Sequence, residues 1–159
     1  MIICSDGFFE RLGKGNLSAV EKRRYLICQM AQTALEEVPV FYHAQPQGVE
    51  TPAVFVRIAK IQYHKRLARE IECRLVFELR YLAENCYDDG ECENAMERLM
   101  DVFGDDLFVK EAVFAERTDK GAVIKVISKL RWKTENDDDN GELMRLLEMN
   151  EKDNGDGKE

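Results

Sequence analysis

Most of the features that announce a catalytic or secreted protein are scarce in this sequence. It has two histidines, three prolines and one tryptophan among 159 residues. Its five cysteines (Cys4, Cys28, Cys73, Cys86 and Cys92) are odd in number and show no C-x-x-C spacing, which excludes both a disulfide framework and a zinc knuckle. The reducing cytoplasm is therefore the expected compartment. No run approaches the roughly 20 apolar residues that span a bilayer, so no membrane partner is expected. The opening Met1–Gly15 lacks an apolar run behind positive charge, so no signal peptide is expected either. A basic excess is also missing. The net charge is −8, and the ten acidic and three basic residues after Lys133 account for −7 of it, leaving a body at −1. A nucleic-acid-binding domain normally carries the opposite sign.

What is present is alternation. From Glu70 to Leu82 the residues Ile71, Cys73, Leu75, Phe77, Leu79 and Tyr81 fall on one side, and Glu70, Glu72, Arg74, Glu78 and Arg80 on the other. Val76 is the one apolar residue on the charged side. Period 2 predicts a strand with one face against a core and the other toward water or another subunit. Thirteen residues extend roughly 40 Å, whereas a body of this size has a radius of gyration near 14 Å. Such a strand crosses the whole domain, so either it bends at a bulge or part of its hairpin leaves the body as an arm.

Taken in order, the chain predicts a loosely ordered lead-in over 1–16, one α+β domain over 17–133 and an acidic, disordered tail over 134–159, with a short helix possible at Glu142–Met149. Ser18 and Glu21 form a capping box ahead of an apolar stripe through Val20, Ile27, Met30, Ala31, Ala34, Leu35 and Val38; Pro39 sets the helix end near Glu37. A short strand at Val40–Tyr42, a turn at Gln45–Thr51 and a central strand at Ala53–Ile61 follow. The basic loop Gln62–Ala68 then leads into the long strand. Asp88 and Glu91 cap a second helix, whose stripe Cys92, Ala95, Met96, Leu99, Met100 and Phe103 runs to Gly104. Strands at Leu107–Arg117 and Ala122–Lys133 close the domain around the tight turn Thr118–Gly121, with Ile124, Val126, Leu130 and Trp132 facing one way and Lys125, Lys129 and Arg131 the other. The order α-β-β-β-α-β-β predicts a two-layer α+β sandwich, a mainly antiparallel sheet of about five strands with two helices on one face.

No catalytic constellation emerges. His43 and His64 have no local nucleophile motif, and a small enzyme built on Cys73, Cys92 or a histidine has only those isolated residues behind it. The acidic knot Asp88, Asp89, Glu91 and Glu93 is explained by helix capping, Asp137–Asp139 lacks the calcium-loop pattern, and Gly13-Lys14-Gly15 lacks the spacing of a phosphate loop. The segment Arg57–Arg69 is the one basic patch: Arg57, Lys60, Lys65, Arg66 and Arg69, with Tyr63 among them and no acid. It fits an acidic protein surface or a solvated hairpin better than nucleic acid, given the neutral body, although DNA contact is the alternative it leaves open.

Gln47-Gly48-x-x-x-Pro52, the strand holding Phe55 and Ile58, the basic Lys65-Arg66…Arg69 and the alternating strand ending in Tyr81 resemble the tail terminator proteins of long-tailed and contractile phages and prophages. The flanking helices and closing hairpin occur in the same order, so the resemblance covers about residues 18–133. Met1–Asn16 and the extension after Lys133 depart from the pattern. The resemblance implies a structural protein with no enzymatic activity, cofactor, metal or catalytic residue. It further implies self-assembly into a ring, generally a hexamer, on the end of the tail tube. That ring stops tube and sheath polymerisation and offers a joining surface to neck and head, at the head-proximal end of a tail assembled in the host cytoplasm. A long hairpin suits ring contacts between unlike patches. The candidate subunit or tube interface is accordingly Arg57, Lys60, Tyr63, Lys65, Arg66, Arg69, Glu72, Arg74, Val76, Glu78 and Arg80, with the charge ladder pairing between neighbours.

Overall fold

The long strand has the bounds its alternation predicts, Glu70–Leu82, and everything else is arranged on it. A computed structural model describes residues 1–43, 48–104 and 110–133; the acidic tail, the start of the Gln45–Thr51 turn and the first residues of the expected strand at Leu107 lie outside them. In chain order the elements are β1 (Ile2–Ile3), α1 (Phe8–Gly13), α2 (Ala19–Ala34), β2 (Val40–Phe41), β3 (Ala53–Lys65), β4 (Glu70–Leu82), α3 (Asp89–Gly104), β5 (Lys110–Thr118) and β6 (Gly121–Lys133). They build an α+β domain with one sheet in the order β1-β2-β3-β4-β6-β5. Pairing is antiparallel except for β1 with β2 and β2 with β3.

The core lies between the sheet and the helices. Phe77, Leu75, Leu79 and Cys73 of β4 and Ile124 and Val126 of β6 are fully covered, together with Ile27, Cys28 and Ala31 of α2 and Cys92, Leu99 and Phe103 of α3. At about 25 cal/mol per Å² of apolar area, this burial is the main stabilising term. Arg24 of α2 donates to the Val56 carbonyl at 2.7 Å and sits 4.5 Å from the Tyr42 ring centroid, fixing the helix against β3. On the opposite side of the sheet, among the described residues, a small apolar cluster of Ala53, Phe55 and Leu82 is buried, together with Val123, Glu72 and Glu78. Among the described residues no helix is long and apolar enough to cross a membrane.

The capping box forms as the sequence predicts. Ser18 Oγ accepts from the Glu21 amide and the Glu21 carboxylate accepts from the Ser18 amide, both at 3.1 Å. Arg11 of α1 adds a two-pronged ion pair to Glu21, with bonds of 3.1 and 2.9 Å. Ser18→Ala removes the cap and is expected to lower stability by about 1 kcal/mol, read as a fall of about 4 °C in thermal unfolding. The helix stops at Ala34, three residues before the predicted end, because the Gln32 side-chain amide donates to the carbonyls of Leu35, Glu36 and Val38 and supports a tight turn there.

Two expectations change. The lead-in is not a loose segment: β1 extends the sheet edge and α1 inserts Phe8, fully buried, against Tyr25 and Tyr42. This adds the sixth strand and a third helix. The expected loop Gln62–Ala68 is mostly strand, since β3 continues to Lys65. At the other end of the sheet, the β5–β6 turn is tight enough that a Cβ on Gly121 would lie 1.9 Å from the Tyr81 carbonyl oxygen, so only glycine fits against β4 there.

Candidate functional site

The β3–β4 hairpin carries most of the residues singled out as an interface. Its strands pair from Ala53 opposite Leu82 to Lys65 opposite Ile71, with a bulge between Ile58 and Lys60. The bulge answers the length problem on β3 alone. Before it, Ala53–Val56 are buried; after it every residue is at least partly exposed. β4 has no such break, because β6 pairs with it along its entire length, to Lys133 opposite Glu70. The hairpin is therefore the rim of a three-stranded blade, and only β3 works loose from the core.

The extra residue at the bulge also sorts the basic patch. Cross-strand partners share a face, so Arg57 (opposite Glu78), Lys60 (opposite Val76), Gln62 (opposite Arg74) and His64 (opposite Glu72) lie on the open face. Tyr63, opposite Cys73, and Lys65, opposite Ile71, lie on the helix face, where Tyr63 packs against the core. The contiguous basic run thus divides between two faces and a tip. Tyr63 shares its face with Lys65 and is turned away from Arg57 and Lys60, with which a stacked base would have to be shared. The tip is a short helical turn, Leu67–Arg69, closed by a 2.7 Å bond from the Arg66 amide to the Glu70 carbonyl. Ala68 and Arg69 both have positive φ, 62° and 63°, a conformation that costs non-glycine residues energy. This turn pushes Leu67 into solvent at 91 % exposure, and an open hollow beside it is lined by His64–Leu67, Glu70 and Glu72.

On the open face Glu72 and Glu78, two acids of the charge ladder, already have partners inside the subunit. Glu78 is held by Arg57 at 2.5 Å and faces Arg80 at 3.7 Å. Glu72 is bonded by Arg66 and Lys129, the latter at 3.3 Å, with Arg131 at 3.8 Å. The two carboxylates are 5 % and 7 % exposed, so they sit under their own cations. Burial alone raises the affinity of Glu72 for a proton, but hydrogen bonds from Lys129 and Arg66 outweigh it and hold the carboxyl below its usual range. Arg74 donates to Gln62 at 3.3 Å.

Cations remain in excess after these pairings are counted. The registers place Arg57 and Lys60 of β3, Arg74 and Arg80 of β4, and Lys125, Lys129, Arg131 and Lys133 of β6 on one face. Among the described residues, Glu70, Glu72 and Glu78 stand against them, with Glu116 of β5 across Val123 at the sheet edge. In their midst Val76 lies opposite Ile127, both partly exposed, as an apolar island. The β6 half of this surface was missed as part of the site. Alternation alone put Lys125, Lys129 and Arg131 on one side of their strand, but nothing local reveals that the strand lies against β4.

The other candidate chemistry disperses. Burial pushes the Cys28 thiol up to about 12 and the Cys73 thiol up to about 11, and raises that of Cys92, the reverse of what a nucleophile needs. His43 is partly buried with its ring 4.8 Å from that of Tyr42, and burial lowers its proton affinity. The acidic knot caps and braces α3. Asp88 accepts from the Glu91 amide at 3.2 Å and Asp89 pairs with Arg117 at 3.0 Å. The Glu91 carboxylate accepts from the Tyr81 hydroxyl and the Glu84 amide at 2.7 Å and from the Asn85 amide at 3.0 Å. Among the described residues no group of three or more metal-ligating side chains converges.

Compared with known families, the chain matches a family model described as phage tail terminator protein over residues 24–141. The match takes in α2, the hairpin, α3 and the closing strands, and runs past Lys133 into the acidic segment. A search of curated proteins finds no match.

Proposed function

The chain belongs to the phage tail terminator family, and we propose that it works there as a ring, generally a hexamer, that closes the end of the tail tube. Members of this family are structural components of the virion tail and act through other tail proteins. On this reading the ring halts polymerisation of tube and sheath and presents the surface to which the neck or head is joined. The open face of the β3–β4–β6 blade carries the proposal. It is a rigid sheet surface with an apolar centre, Val76 and Ile127, framed by ionised side chains already held in place within the subunit. Preorganised charge and a small apolar centre favour a specific contact over general stickiness. The exposed tip at Leu67 supplies a second, unlike patch, as a ring needs when one surface of each subunit meets a different surface of the next.

Tube protein polymerising in the presence of this chain is the direct test. Electron micrographs are expected to show an annular cap at one tube end and lengths that stop increasing once caps appear. Tubes that keep growing at saturating concentrations of the chain would reject termination, and caps of another stoichiometry would reject the hexamer alone.

A further inference from the structure

The blade's charge surplus has an obvious complement within the same polypeptide. Residues 134–159 carry ten acidic and three basic residues, and four of the carboxylates, Glu135, Asp137, Asp138 and Asp139, follow within six positions of Lys133. Lys133 is itself the last residue of β6 and belongs to the open face, in register with Glu70. The chain therefore leaves the sheet for the acidic segment at the edge of this basic surface, two and four residues beyond Arg131 and Lys129.

We propose that this segment docks in cis on the open face and occupies it before assembly. Reach does not limit it. Lys133 to Lys125 along β6 is about 27 Å, and 26 residues extend up to about 85 Å. Individually such exposed ion pairs are weak and screened by salt, but a tethered segment meets the face at an effective concentration of the order of millimolar. Proximity decides the occupant. The segment carries −7 and is delivered to the face by the chain itself, whereas an acidic surface on another copy must arrive by diffusion. Lys60 and Lys125 mark the far side of the surface and lie distant in sequence from every one of those carboxylates. The docking claim stands independently of the ring. Its consequence, that the segment must be displaced before a neighbouring subunit or the tube engages the face, rests on the reading proposed above.

Zero-length carbodiimide crosslinking of the full chain tests this. An equal mixture of ¹⁴N and ¹⁵N protein at low concentration is crosslinked in low and in high salt, and the linked peptides are read by mass spectrometry. The Lys129–Glu72 pair, 3.3 Å apart, provides an internal reference. Links from the carboxylates of residues 142–159 to Lys60 or Lys125 within one isotopic species are expected, falling about tenfold at 1 M salt, where screening acts within about 3 Å. The triple variant Asp137→Asn, Asp138→Asn, Asp139→Asn, which removes three of the segment's charges but none of these linking carboxylates, should weaken the links several-fold while keeping the reference link. Mixed-isotope links alone would assign the face to a second copy's segment and overturn the proposal, as would absence of links to the face while Lys129–Glu72 forms. Neither outcome touches tube capping, which is read separately by microscopy.

Discussion

Phe77→Ala is expected to remove about 3–5 kcal/mol of folding stability, a large share of the roughly 5–15 kcal/mol available to a domain of this kind. The ring lies at the middle of β4, fully buried, with Ile58 on one side in register and Val126 on the other. Both neighbouring strands hold it and the helices close over it, so the cavity has no flexible wall to collapse into, which puts the loss at the high end for an aromatic truncation. Urea titration would show a lower midpoint with an unchanged slope if the fold is retained. A loss under about 1 kcal/mol would mean that β4 does not run through the core as described.

That strand was legible because its signal is local. Thirteen alternating residues fix both its bounds and its faces, and the capping box does the same for the start of α2. The parts that were not legible depend on distant partners. β1 and α1 owe their order to two residues paired with Val40 and Phe41 and to one side chain, Phe8, too little to make a periodic pattern in the sequence. The Gln62–Ala68 segment reads as a basic loop because the bulge after Ile58 breaks the alternation of the strand before it; in the sheet Gln62 and His64 fall on one face and Ile61 and Tyr63 on the other. The charge ladder reads as one face from its alternation, but its partners within the subunit do not show in the sequence. Glu72 finds Lys129 and Arg131 across a strand 57 or more positions later, and Glu78 finds Arg57 across the hairpin. Register between remote strands is set by the packed core and leaves no mark in either strand's own pattern.

The pairing of Glu72 and Glu78 within the subunit sharpens what is expected at Val76, one position from Phe77 and on the other side of the sheet. If the ladder paired between subunits, its charges would hold the ring. Because Glu72 and Glu78 are already satisfied, the apolar pair Val76–Ile127 is left as the centre that a partner must cover. Val76→Asp should leave the subunit folded. The new carboxylate is only partly buried and stands directly across from Lys60, among the cations of the open face. In the assembled ring the partner would cover it and strip its water, and desolvating a charge costs several kcal/mol even beside a cation such as Lys60, which weakens each contact by a factor of about a hundred or more. Circular dichroism should be unchanged while light scattering and microscopy show loss of rings and of tube caps. Val76→Thr, which keeps the branched shape without the charge, should assemble nearly as the parent does. Intact rings carrying Asp at this position would move the contact off the open face and leave the Leu67 tip as the surface to examine.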